Sequence, residues 1–179
     1  NAAISACEKA SEWRVALELF AQMQHQNISC NTVTYSAVLD ALHGHPLALP
    51  VFCDALRGDQ FPGLFAWGPR TLDLHGLSPA AATAAVWWWL HEVLPGQMRT
   101  KTARLRGAKV ITGWGKHRKS WDTKSVEATV NEFMDRLGVP WMKRKGYFTF
   151  APWGAAAGRP AVKTGGRRPP APADGAPLR

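Results

Sequence analysis

The sequence predicts an α plus α/β chain: a short helical-hairpin repeat segment, a two-layer α/β domain of βαβαβ(β) order, and a disordered tail. Three observations carry that expectation. An imperfect repeat of about 35 residues, with two helices per unit, fills residues 1–63. The stretch Leu72-Asp73-Leu74-His75-Gly76-Leu77 alternates apolar and polar residues with period two, the mark of a half-buried strand, and opens residues 71–153. From Gly154 onward the chain is mostly Ala, Gly, Pro and Arg without periodicity, so 154–179 reads as a disordered basic tail.

In the repeat segment, Asn1-Ala2-Ala3-Ile4-Ser5-Ala6 recurs loosely as Ser36-Ala37-Val38-Leu39-Asp40-Ala41. Ala16-Leu17-Glu18-Leu19-Phe20 recurs as Ala48-Leu49-Pro50-Val51-Phe52. Ser11 is placed to cap a helix whose apolar stripe is Trp13, Ala16, Leu17, Phe20 and Met23. The second unit is degenerate. Pro50 is expected to interrupt its second helix, and His43-Gly44-His45-Pro46 stands where its helices join, so it is expected to pack as a cap. The turn-rich stretch from Phe61 to Pro69 is the expected boundary, with 64–70 as linker and the two halves separable.

In the α/β part, Gly76 and the pair Ser78-Pro79 turn the first strand into a helix over about 79–94, which stops at Pro95-Gly96. Trp87-Trp88-Trp89 covers more than half of that helix's circumference, so one or two rings are expected to pack on the sheet or against the repeats. Residues 99–119 hold Arg99, Lys101, Arg104, Arg106, Lys109, Lys116, Arg118 and Lys119 and no acid, straddling a strand at Lys109-Val110-Ile111. A helix over about 125–137 follows, with the stripe Val126, Val130, Phe133, Met134 and Leu137 and a stop at Gly138 and Pro140. Residues 141–145 and 147–150 are strand material around Gly146. Both helices should cover one face of a small mixed sheet and leave the other open.

Composition bounds the partners. A hydrophobic content of 46% over 179 residues supports real cores. A net charge of +9 and a pI near 10.0 favour a polyanion such as nucleic acid. Cys7, Cys30 and Cys53 lie far apart with no CxxC, which points away from a zinc site or a disulfide framework and towards reduced, intracellular residues. No run reaches the apolar length of a membrane span. The chain starts at Asn1, already inside a repeat, and is expected to be part of a longer one whose targeting segment would lie upstream.

The candidate chemistry lies at two places. Asp73 and His75 sit two apart on one strand face, and a carboxylate beside an imidazole can move protons near neutral pH. The second place is Thr112-Gly113-Trp114-Gly115-Lys116-His117 at the end of another strand. Gly113 and Gly115 allow close approach of a phosphate, and Lys116, His117 and Arg118 bring positive charge.

These two stretches, in this order, resemble the marks of the Smr (small MutS-related) domain, an LDLH or LDLR box and a TGxG loop. The resemblance covers roughly Thr71 to Trp153, and the wording GWGKH is closest to Smr domains that end pentatricopeptide-repeat proteins of plant-type organelles. Asn31-Thr32-Val33-Thr34-Tyr35-Ser36, with Ala-Leu-Glu-Leu-Phe before it, likewise resembles the pentatricopeptide repeat, a reader of single-stranded RNA.

The resemblances imply an organellar RNA endonuclease whose repeats choose the site. His75 would transfer protons, with Asp73 orienting it or holding Mg2+ or another divalent metal, and His117 would be a second acid. Gly113, Gly115, Lys116, Arg118, Arg104, Arg106 and Lys109 would bind phosphate. Asn1 and Asn31 would read one base, with a preference for pyrimidines, and Ser36 stands at the reading position of the second unit. One departure is Arg118, where such loops commonly carry Ser. Alternatives are a non-catalytic RNA adaptor and, less favoured because the repeats match RNA readers, a DNA-nicking nuclease. The protein is expected to act as a monomer, in a chloroplast or mitochondrion and without a membrane.

Overall fold

The computed structural model describes residues 1–94, 107–113, 125–138 and 141–150. The first half is two helical hairpins: α1 (Ala2–Lys9) with α2 (Trp13–His25), then α3 (Thr32–Ala41) with α4 (Ala48–Arg57). A 3-10 turn, Pro62–Phe65, leads to β1 (Thr71–Asp73) and α5 (Pro79–Trp88), which runs on as a π-helical turn over Trp89–Val93. The rest is β2 (Lys109–Ile111), α6 (Val126–Leu137) and the hairpin β3 (Trp141–Arg144) with β4 (Tyr147–Phe150). The tail 154–179 lies outside the described residues.

The ends of the hairpin helices share one device. Ser11, Asn27 and Asp59 have φ of 58°, 53° and 50°. In each case the residue's own N–H and the next one bond back to the closing turn, for example Ser11 N to Glu8 O at 3.0 Å and Glu12 N to Cys7 O at 2.9 Å. This is a Schellman ending, usually made by glycine and tolerated by small polar residues. Ser11 is therefore the stop of α1 and not the cap of α2, which starts from Glu12 without a side-chain cap. Pro50 does not interrupt α4. It sits in the first turn, where its missing N–H would have had no helical partner.

Asp54 ties three of these helices together. Its Oδ2 accepts from Tyr35 Oη at 2.7 Å and from Gln24 Nε2 at 3.1 Å. Burial and the hydrogen bond to Asp54 push the Tyr35 phenol up to about 12.

The four strands lie in the order β1-β2-β4-β3, with β1 and β2 parallel and the other pairs antiparallel. Leu72, Leu74, Val110, Phe148 and Phe150 are buried under α5 and α6, which pack on each other. Register sets Asp73, Ile111, Tyr147 and Arg144 in one row of the opposite face, and Thr71, Lys109, Thr149 and Met142 in the next. Tyr147, Lys109, Met142 and Arg144 there are exposed. The layering thus follows the expectation.

The three tryptophans divide as their angular spread requires. Trp89 is fully buried and donates Nε1 to Pro69 O at 2.8 Å. Trp88 lies edge-on to Phe52 of α4 and beside Phe65. Trp87 stacks on His91. One hydrophobic cluster runs from Ile4 of α1 to Phe150 of β4, because α5 packs against α3 and α4 as well as α6. Asp40 of α3 even caps α5, accepting the Ala80 N–H at 3.2 Å next to the cap from Ser78. The 61–69 connection is packed rather than extended, with Phe61 and Leu64 buried.

Candidate functional site

The site forms where β1 and β2 end side by side. Parallel strands leave the crevice beyond their carboxyl ends open, and residues leaving both strands meet there. Leu74 N still bonds Ile111 O at 2.9 Å, which continues the ladder one residue past β1. Buried Leu72 and Leu74 lock that register, so Asp73 and His75 must point away from the core. Gly76, at φ of 77°, then turns the chain towards Ser78.

Asp73 Oδ1 lies 2.6 Å from His75 Nδ1 and also accepts the backbone N–H of His75 at 3.0 Å. Its Oδ2 accepts Nε1–H of Trp67 at 3.1 Å. The Asp73 side chain is 15% exposed and that of His75 61%. A carboxylate engaged on both oxygens orients an imidazole well. Asp73 thus holds His75 through Oδ1 and Trp67 through Oδ2. No group of three His, Cys, Asp or Glu suited to a metal occurs among the described residues.

From β2 come Thr112 and Gly113, whose N–H groups both donate to Gly146 O of the β3–β4 hairpin, at 3.0 and 3.2 Å. The Gly113 amide is thereby committed. What this glycine offers is its bare Cα: at φ of 79°, an added Cβ would lie 2.8 Å from His75 Nε2. Lys109 stands at the other end of β2, opposite Thr71, with Nζ 6.0 Å from the Tyr147 ring. Gly115, Lys116, His117, Arg118, Arg104 and Arg106 lie outside the described residues.

The candidate base-reading residues also meet. Thr34 Oγ1, buried, donates to Asn1 Oδ1 at 2.6 Å and lies 3.1 Å from Asn31 Oδ1. Asn31 caps α3 in a reciprocal box with Thr34, and both asparagines stay exposed. Ser36 is half-buried on α3.

A pocket of about 480 Å³ is lined by Asp73 and His75 together with Trp67, Thr32, Gln60 and the apolar Phe61, Pro62, Leu64 and Leu77; Asn1, Asn31 and Ser36 do not line it. Thr32 Oγ1 donates to Gln60 O at 2.8 Å. Trp67 was not singled out from sequence. The signal available was an aromatic residue inside a Gly- and Pro-rich connection, with no apolar periodicity to absorb it.

Among known proteins, the PPR repeat family matches residues 1–44, which hold α1, α2 and α3. No Smr domain is detected in the chain. No curated protein and no solved structure matches it. No helix among the described residues is long and apolar enough to cross a membrane. Residues 1–44 therefore carry a PPR repeat, a unit that points to RNA binding and generally takes single-stranded RNA.

Proposed function

We propose that the chain binds single-stranded RNA through its repeat and cleaves it at a phosphodiester held beside Asp73 and His75. The observation that supports cleavage is the 2.6 Å contact between Asp73 Oδ1 and His75 Nδ1. With Nδ1–H donating to the carboxylate, Nε2 is the acceptor nitrogen and belongs to a largely exposed ring. The nucleophile within RNA is the ribose 2′-hydroxyl. Nε2 takes its proton while the oxygen bonds to the adjacent phosphorus and the bond to the 5′-oxygen breaks, leaving a 2′,3′-cyclic phosphate. Asp73 holds the ring and steadies the imidazolium that results. The leaving oxygen takes a proton from water or, as the resemblance implies, from His117.

The likeness of Leu72-Asp73-Leu74-His75 and the Thr112 to His117 loop to Smr marks supports the same reading, and with it an organellar RNA as target. The net charge of +9 supplies attraction for the backbone. Thr32, the neighbour of Asn31, lines the same pocket as His75, which supports a single strand passing both the repeat and the pair.

The test is incubation of the chain with end-labelled single-stranded RNA and with supercoiled DNA, with and without chelator. Fragments ending in a cyclic phosphate, intact DNA, and no cleavage by His75→Ala are expected. RNA binding without cleavage under every condition would replace the nuclease by an adaptor.

A further inference from the structure

We propose that the pocket beside Asp73 and His75 is a nucleobase subsite, with the indole of Trp67 as its stacking platform. The inference rests on the reading that an RNA strand passes this pair. Trp67 is 70% exposed, whereas the other tryptophans among the described residues are buried or half-buried. Such a ring on a connection would ordinarily turn freely. Here Nε1–H donates to Asp73 Oδ2 at 3.1 Å, so the ring is pinned by its edge while most of its surface stays in water. A fixed, uncovered aromatic plane is what a base needs to stack on, and every base has a face to offer.

The surroundings suit a nucleic-acid base, which has apolar faces and polar edges. Phe61, Pro62, Leu64 and Leu77 give the pocket apolar walls, Asp73 and His75 give it a carboxylate–imidazole pair, and the chain carries +9. The volume of about 480 Å³ suits one planar heterocycle with its sugar. Thr32 lines the pocket and follows Asn31 directly, which sets the pocket next to the reading position that the repeat resemblance implies. The stack then fixes which phosphodiester faces His75 Nε2. Trp67 also shares Asp73 with His75, so seating a base and aligning the imidazole are linked.

The experiment measures affinity of the full chain for oligouridylate and oligoadenylate 12-mers across a salt series, for the unmutated protein, Trp67→Phe and Trp67→Ala. Trp67→Ala should weaken binding about tenfold, the size of one base–aromatic stack. The slope of log affinity on log salt should stay unchanged, since no phosphate contact is removed. Trp67→Phe, which keeps a ring and lacks the N–H, should bind within about threefold of the unmutated chain. A 4-thiouridine-substituted 12-mer should photo-crosslink to the tryptic peptide 58–70 of the unmutated protein, which does not depend on how the variants fold. Equal binding by Trp67→Ala, a Trp67→Phe loss as large as that of Trp67→Ala, or crosslinks that avoid 58–70 would each overturn the subsite. If the unmutated chain binds neither 12-mer, the RNA reading and the subsite fall together. If it binds, stacks and never cleaves, only the nuclease reading falls.

Discussion

The His75 ring occupies the space that a side chain on Gly113 would need. A Cβ on Gly113 would come within 2.8 Å of His75 Nε2 and 2.9 Å of its Cδ2, at a backbone φ of 79°. Gly113→Ala is therefore expected to act twice. The left-handed backbone costs about 1–2 kcal/mol for alanine. The clash is then relieved by the imidazole, the more movable partner, which swings off Asp73. Cleavage should fall at least about tenfold. Gly138→Ala is the control: its φ is 63°, nothing lies within 4 Å of the added Cβ, and it sits at the end of α6, away from the pair. It should lower stability similarly and leave cleavage unchanged. Single-turnover cleavage and thermal unfolding of both variants decide the point, and a normal rate for Gly113→Ala would mean the contact does not hold the ring.

His75→Ala and Asp73→Asn should separate catalysis from binding. Each should slow cleavage by roughly a hundredfold or more, as lost proton transfer requires. Neither should change RNA affinity by more than a few-fold, because on the proposed reading the attraction comes mainly from the net charge of +9 and the cationic 99–119 run. The Asp73→Asn variant keeps the shape of the carboxylate but removes its charge and one acceptor oxygen, so it tests the hold on His75 and imidazolium stabilisation together with the bond to Trp67. Filter binding beside cleavage kinetics gives both numbers, and a full cleavage rate for His75→Ala would move the proton transfer to His117.

What could be read in advance was what depends on neighbours in sequence. Leu72 and Leu74 against Asp73 and His75 gave the strand and its buried face, Ser78-Pro79 the start of α5, and Ser125 with Gly138 both ends of α6. What could not be read depends on chain far away or on a choice between equivalent local solutions. Ser11 fits a helix cap and a left-handed stop equally well, and the turn between α1 and α2 selects the stop. Pro50 breaks a helix only beyond its first turn, and nothing local says where α4 begins. The approach of Gly113 to His75 exists only once β1 and β2 pair, and the bond from Trp67 to Asp73 depends on how the irregular 66–70 connection folds back on β1, so no periodic pattern announces either.

Tyr35 makes stability depend on alkaline pH in a stated direction. Its phenol is raised to about 12 by burial and by the hydrogen bond to Asp54, against about 10 in an unfolded chain. The fold favours the protonated form, so its contribution is complete below about pH 10 and is lost as pH rises towards about 12. Tyr35→Phe should cost about 1–2 kcal/mol at pH 7, the loss of a hydrogen bond to a carboxylate. The gap between the two proteins should narrow between about pH 10 and 12. Urea unfolding of both at pH 7, 9 and 11 measures it, and a constant gap would mean the phenol is not held by Asp54.

The two halves share a core, and that bears on where the chain can be cut. Helix α5 has Asp40 of α3 on its Ala80 N–H, and its Trp88 ring lies 6.1 Å from Phe52 and 5.9 Å from Phe65. A chain starting at Gly63 keeps the sheet and α6 but strips Asp40 and Phe52 from α5, leaving its N-terminus half-capped and part of its alanine- and tryptophan-rich surface in water. Exposing several fully buried side chains at about 25 cal/mol per Å² removes more than one small domain has in reserve. The truncated chain is therefore expected to bind a hydrophobic dye and to melt broadly, while the full chain unfolds in a single transition. In the full chain, Asp40→Ala alone should cost about 1 kcal/mol, as for other lost helix caps. A truncated chain that melts as sharply and as late as the full one would make the sheet and its two helices an independent domain, with the repeats merely resting on it.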